Sequence, residues 1–190
     1  MPPDSTATKA RLLAAAFEEF TRYGLAGARV DRIARNAEAN KRLIYVYYGN
    51  KDQLFDAVLA RYLGSLADAV PFTADDLPGY AGALFDHLAT RPGILRLASW
   101  RQLERPGTIT AETDAYRPKV EALADAQRRG TVSGRIAPVD LLALVLGQVT
   151  AWFTASPGLR DVAPGDAFAP DRLADHRAAL TTAVHTLTRP

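Results

Sequence analysis

The chain has 190 residues, 48% of them hydrophobic and 23% charged, with a net charge of +2. That is enough apolar content for a core and too little net charge to mark a nucleic-acid binder by itself. The absence of cysteine excludes disulfides and thiolate metal sites, and no apolar run approaches the roughly 20 residues that span a bilayer.

The N-terminal MPPDSTATKAR lacks an apolar stretch and does not read as a secretory signal, so a cytoplasmic location without membrane attachment is expected. From there almost every segment has helical period and almost none alternates. Over residues 8–23, Leu12, Leu13, Ala16, Phe17 and Phe20 share one face, and Gly24 is placed to end the helix. Val30, Ile33, Ala34 and Ala37 follow the i, i+3, i+4, i+7 rule on a second helix whose other face carries Arg29, Arg32, Arg35 and Asn36. Asn40 can cap a short third helix by accepting a bond from a free amide of the first turn. On that helix Ile44 and Tyr48 are read as the anchors, against Phe17, Phe20 and Ile33. Lys41, Arg42, Tyr45 and Tyr47 are read as facing outward. Asn50 and Gln53 have capping-box spacing, so a long fourth helix begins at Lys51 and runs to about Val70.

Pro71 and the FTADDLPG segment mark a joint. Five further helices are read near 75–90, 92–104, 111–129, 138–155 and 171–188, with Pro92 and Pro138 in first-turn positions and Gly130 as a C-cap. Residues 156–170, with Pro157, Pro164, Pro170, Gly158 and Gly165, are read as stopping any helix. The predicted fold class is all-α: an N-terminal three-helix unit over residues 1–52 and a C-terminal helical bundle over 53–190.

Charge is unevenly placed. Residues 1–54 hold 9 Lys/Arg against 6 Asp/Glu, a balance of +3, whereas the rest of the chain is at −1. Phosphate contacts dominate DNA affinity, so the excess sits where a DNA-reading segment needs it. A helix-turn-helix places its second helix in the major groove, which shows a distinct donor and acceptor pattern for each base pair. Residues 40–48 suit that role. Lys51 in a first turn opposes the helix macrodipole, an oddity that a docked phosphate would turn to advantage.

From Thr8 to Phe55 the chain resembles the DNA-binding domain of the TetR family of transcriptional regulators. The matching features are Phe20-x-x-x-Gly24, Val30-x-x-Ile33-Ala34, Ile44-Tyr45-x-Tyr47-Tyr48 and Gly49-Asn50-Lys51 followed by Leu54 and Phe55. The resemblance implies that Lys41, Tyr45, Tyr47 and Lys51 touch DNA and that Arg42 and Leu43 tune sequence choice, with Arg29 reaching phosphate. It further implies a homodimer on a palindromic double-stranded operator, a C-terminal domain that binds a small-molecule effector, and repression as the commoner outcome. Two positions depart from the family pattern. Ala28 stands where a capping Thr is frequent, and Glu38 stands in the turn, where Gly is usual; Glu there implies strain or a differently shaped turn.

In the C-terminal part, Leu141, Leu142, Leu144, Val145, Leu146, Val149, Trp152 and Phe153 make a helix apolar on nearly all sides. Leu173, Leu180, Val184 and Leu187 approximate a one-sided seam. Both helices are candidates for a dimer interface. Phe85, Leu88, Trp100, Leu103, Tyr116, Gln148, Trp152 and Phe153 mix aromatic and polar character as candidate lining of a cavity for a largely apolar ligand. His87, His176 and His185 are too far apart for a local metal motif, and no metal or cofactor is expected. No Gly-rich phosphate loop, nucleophile elbow, His-Glu-x-x-His or paired Glu-x-x-His is present, so an enzyme is not expected. A helical adaptor that binds protein without touching DNA is the alternative reading.

Overall fold

The computed structural model describes residues 5–190; residues 1–4, where the expected reading domain begins, lie outside the described residues. Among the described residues the secondary structure is helical throughout. The helices are α1 (Ser5–Gly27), α2 (Val30–Asn36), α3 (Lys41–Tyr48), α4 (Lys51–Ala69), α5 (Leu77–Ala89), α6 (Pro92–Glu104), α7 (Thr110–Arg129), α8 (Pro138–Thr154), α9 (Pro157–Arg160) and α10 (Pro170–Thr188), with one 3-10 turn at Ala74–Asp76. The all-α architecture expected from periodicity is present, and most helix ends fall within a few residues of their caps. The exception is α9, where Ser156 accepts a bond from the Leu159 amide and Pro157 occupies the first turn. A proline can start a helix as well as stop one.

Two compact units divide the chain. Unit one runs to Leu66 and includes 91–113, so α6 belongs with α1, α2, α3 and most of α4. Its core is Leu12, Ala16, Phe20, Ile33, Ile44, Leu54, Phe55, Val58 and Leu97, all buried. Phe20 meets Phe55 edge-on with centroids 5.0 Å apart, and Phe17 stacks on Tyr62 at 3.8 Å. Gly24 interrupts α1 with φ 68° and ψ −178°. A Cβ there would lie 2.8 Å from the Trp100 ring, so both the conformation and the close approach require glycine. The amides of Leu25 and Ala26, which the break strips of helical acceptors, donate to the Glu104 carboxylate of α6.

Unit two comprises 67–90 and 114–190. Here α5, α8 and α10 pack on one another around Leu77, Leu84, Phe85, Leu141, Val145, Val149, Leu180 and Val184. Leu180 and Val184 of the expected α10 seam are buried within this unit, and Leu173 and Leu187 are half-buried. That seam therefore covers α5 and α8 and is not left for a partner. Ala174, Ala178, Ala179, Thr182 and Ala183 form the exposed side of α10.

Candidate nucleic-acid interface

The reading geometry begins with a buried acid. Glu19 of α1 is 3% exposed, and its carboxylate accepts from the Arg29 amide at 2.8 Å and from the Arg32 guanidinium at 2.6 Å. The N-terminus of α2 has no side-chain cap of its own, so Ala28 is replaced in that duty by an acid ten residues before Arg29. Arg11 Nε donates to the Ala37 carbonyl at 3.1 Å and holds the other end of α2 to α1.

The turn between α2 and α3 settles the question raised by Glu38. The Glu38 amide donates to Arg35 O at 3.1 Å and the Ala39 amide to Ala34 O at 3.0 Å, while Glu38 sits at φ 48°. Those two bonds are the Schellman pattern, with Glu38 in the left-handed position that glycine normally fills. The turn has the usual shape and carries strain. Asn40 Oδ1 then accepts from the Arg42 amide at 2.8 Å and starts α3, as its sequence position predicts.

Helix α3 is oriented by its own period. Ile44 is fully buried, and Leu43, Tyr47 and Tyr48 are half-buried against the same core. Tyr47 therefore leans inward, with Lys9 Nζ 5.0 Å from its ring centroid, and Tyr48 Oη donates to Lys9 O at 3.3 Å. Position 47 lies three residues after Ile44, on the buried side, so the helical repeat alone carries the signal for this placement. The exposed side is Lys41, Arg42, Tyr45 and Val46, the last two 46% and 63% exposed. Val46 carries no charge or ring to mark it in the sequence, and only its exposure brings it into this set. Arg29 and Arg35 add exposed cations on α2 and the loop before it.

Lys41 Nζ pairs with Asp31 of α2 at 2.8 Å. The hydrogen bond and charge of Lys41 hold the Asp31 carboxyl below its ordinary range, and the same contact raises Lys41. Lys51 Nζ donates to Ala26 O at 3.3 Å and Ala28 O at 3.2 Å, tying the first turn of α4 to the α1–α2 joint. Arg105, which follows α6, bonds Asp52 at 3.0 Å and Asp56 at 2.9 Å, both on α4. Four solvent-facing side chains thus share one side of a short helix whose other side, Leu43, Ile44, Tyr47 and Tyr48, packs on the core.

Comparison with known proteins decides the family. Residues 12–58 match the model described as bacterial regulatory proteins, tetR family, and residues 76–185 match the one described as tetracyclin repressor-like, C-terminal domain. The chain is 42% identical over 167 residues to the HTH-type transcriptional repressor SCO4008 of Streptomyces coelicolor, covering 85% of this chain and 86% of that protein. It belongs to the TetR family.

The fold agrees. A crystal structure of a protein described as a transcriptional regulator, SCO4942 of Streptomyces coelicolor, superposes with TM-score 0.80 at 41% identity, covering 96% of this chain and 99% of that one. Salmonella enterica GusR shares the fold at TM-score 0.72 and 15% identity over 98% and 97% of the two chains. This TetR-family protein is thus a DNA-binding transcriptional regulator and not an enzyme. No helix among the described residues is long and apolar enough to cross a membrane, and no group of His, Asp and Glu among them is placed to hold a metal.

The residues picked as cavity lining fall into both units of the regulator. Trp100 and Leu103 belong to unit one, where Trp100 Nε1 donates to Thr21 O at 3.3 Å and Leu103 is 74% exposed. In unit two Phe85 is buried and stacks on Phe153 at 4.9 Å, and Leu88 is buried beside it. His176 lies 5.0 Å from Trp152 and 5.5 Å from Phe85, so Phe85, Phe153, His176 and Trp152 form one aromatic cluster. Trp152 Nε1 donates to Ala167 O at 2.9 Å, Gln148 Oε1 is buried without a partner, and Tyr116 is exposed on α7.

Proposed function

We propose that this regulator is a homodimeric repressor, active in the cytoplasm, that holds a palindromic operator and releases it when a small, largely apolar molecule binds the C-terminal part. In this reading residues 1–52 contact DNA and residues 53–190 bind the effector and dimerise. Lys41, Arg42, Tyr45 and Val46 meet base edges and nearby phosphates, and Arg29 meets the backbone. Leu43, Tyr47 and Lys51 act through the fit of the reading helix: two pack it and one fixes the helix that follows.

One observation carries the DNA-contact reading: the outward set Lys41, Arg42, Tyr45 and Val46 on a helix whose opposite side is pinned by the fully buried Ile44. Repression is supported by the repressor SCO4008, so described, at 42% identity. Dimerisation is supported by α8, where Val139 and Leu144 are 58% and 47% exposed on an otherwise apolar helix. Two reading heads roughly 34–36 Å apart match successive major grooves on one face of DNA. A ligand that binds one spacing better than another shifts the population of heads that fit.

Selection of bound sequences from a random duplex pool tests this reading. The expected product is a palindrome with half-sites about one helical turn apart, bound in a salt-sensitive way. Arg42→Ala with Tyr45→Ala is expected to abolish the enrichment while the protein still folds. No enrichment by wild type at low salt would return the adaptor reading.

A further inference from the structure

Unit two contains a lysine with no ion-pair partner among the described residues. Lys119 of α7 is half-buried, and its Nζ donates to the Tyr80 hydroxyl of α5 at 3.3 Å. The same ammonium lies 5.6 Å from the Tyr80 ring centroid, 5.8 Å from that of Phe72 and 6.0 Å from that of Tyr116. Phe72 meets Tyr80 edge-on with centroids 5.0 Å apart, so the rings support one another.

A cation drawn partly out of water normally gains an acid. Here it gains one neutral oxygen and the neighbouring rings of Phe72 and Tyr116, which offset only part of the lost hydration. An ammonium has three donors, and one is spent on Tyr80. The Tyr80 hydroxyl accepts that bond, and its own proton has no acceptor among the described residues. Burial pushes the Tyr80 phenol up to about 12, so it remains a donor across the physiological range, and burial alone pulls Lys119 below the ordinary lysine range. Two donors on atoms 3.3 Å apart suit the two oxygens of one carboxylate. A single cation matches a single negative charge, and the rings offer apolar area to the carbon attached to it.

We propose that Lys119 and Tyr80 are the anchoring pair of a binding site for an organic monocarboxylate, with Phe72 and Tyr116 flanking its aromatic or alkyl portion. The site narrows the apolar effector of the preceding section to one bearing an acid head. Its regulatory meaning rests on that earlier reading.

The test uses the full chain with its lysines 13C,15N-labelled, so that each native ammonium is followed by NMR through its Cε and Nζ signals. Lys119→Arg assigns the Lys119 signal by its loss. Benzoate, 4-phenylbutyrate and octanoate are the probes, and their amides are the controls. The Lys119 signal is expected to titrate below those of the other lysines, and to move to higher pH saturably with at least one acid and with no amide. Thermal shift on unlabelled protein should follow the same order. Lys119→Met should weaken binding about tenfold or more, and Tyr80→Phe by several-fold.

Absence of a saturable change with all three acids up to about 10 mM overturns the site. So does unchanged binding in a folded Lys119→Met variant. If that variant does not fold, Tyr80→Phe and the Lys119 titration decide. Retention of operator DNA, followed in parallel, separates the two claims. Acid binding at Lys119 with the DNA complex intact supports the site and overturns its effector role; DNA release with an unmoved Lys119 signal overturns the site and supports effector control.

Discussion

The Glu19 carboxylate and the Arg32 guanidinium meet at 2.6 Å beneath the reading helices, with the acid side chain 2% exposed and the base 30%. The same acid caps α2 through the Arg29 amide, and Arg32 lies 4.2 Å over the Tyr23 ring. Removing the acid leaves an amide and a guanidinium without their acceptor. Glu19→Ala is expected to lower stability by about 2–3 kcal/mol. Chemical denaturation measures this, and a midpoint equal to wild type would refute it. Glu19→Gln retains one acceptor and should lose less.

Asp31 places a negative charge on the surface proposed to meet DNA. It pairs with Lys41 at 2.8 Å while both side chains remain open to solvent. Lys41 holds the Asp31 pKa below the ordinary value, so the pair is present at neutral pH and is lost as pH falls through that lowered value. Asp31→Asn frees Lys41 for phosphate. DNA affinity at low salt should rise, and the slope of log K against log salt should steepen by about 0.9 per subunit. An unchanged slope in a fluorescence-anisotropy titration would show that Lys41 does not reach the backbone.

Val46 is the most exposed apolar side chain of the reading helix, at 63%. A branched apolar group in the major groove has one natural partner, the thymine methyl. Val46→Ala should relax the preference at one base pair of each half-site, by up to about tenfold, without a matching loss at other positions. Sequencing of selected pools for both proteins measures this. Uniform weakening across all positions would place Val46 outside the base-reading set.

Much of this arrangement is legible in the sequence. Asn40 and Asn50 each cap the helix their position predicts, because capping depends on neighbours two or three residues away. Tyr47, read as outward from the sequence, leans inward instead, and its place three residues after the buried Ile44 is the local signal for it. Glu19 is different. Its partners lie ten and thirteen residues on and are met only after α1 and α2 fold against each other, so a buried acid looks from sequence like one more charge on a solvated face. Lys51 likewise reads as a phosphate-facing cation until the carbonyls of Ala26 and Ala28 come within reach. Trp100 and Leu103 have the composition of cavity lining, yet Trp100 packs at Gly24 and Leu103 faces solvent. Composition does not say which neighbour a helix will find.

His176 gives unit two an acid limit. Burial first, and Arg172 second, hold its pKa below the ordinary value of 6.5, so the folded state favours the neutral ring that packs between Trp152 and Phe85. The unfolded chain takes up its proton first as pH falls. The contribution of His176 is therefore complete above about 6.5 and declines as pH drops through and below that value. Thermal unfolding followed between pH 7.5 and 5.5 should show a falling midpoint, and His176→Gln should flatten the fall. An equal fall in the variant would assign the acid sensitivity to other groups.

Glu38 offers the opposite sign of change. At φ 48° it occupies a conformation that costs an L-residue and not glycine, and its side chain is exposed, so nothing in the fold is lost when the side chain is removed. Glycine regains the strain and forfeits some unfolded-state restriction, and the first effect is the larger where φ is positive. Glu38→Gly should therefore stabilise the protein by about 0.5–1 kcal/mol. It also removes a negative charge between α2 and α3, so DNA affinity should rise modestly and most at low salt. Glu38→Gln separates the two effects, since it removes the charge and keeps the strain. If Gln stabilises as much as Gly, electrostatics and not backbone conformation set the cost of this turn.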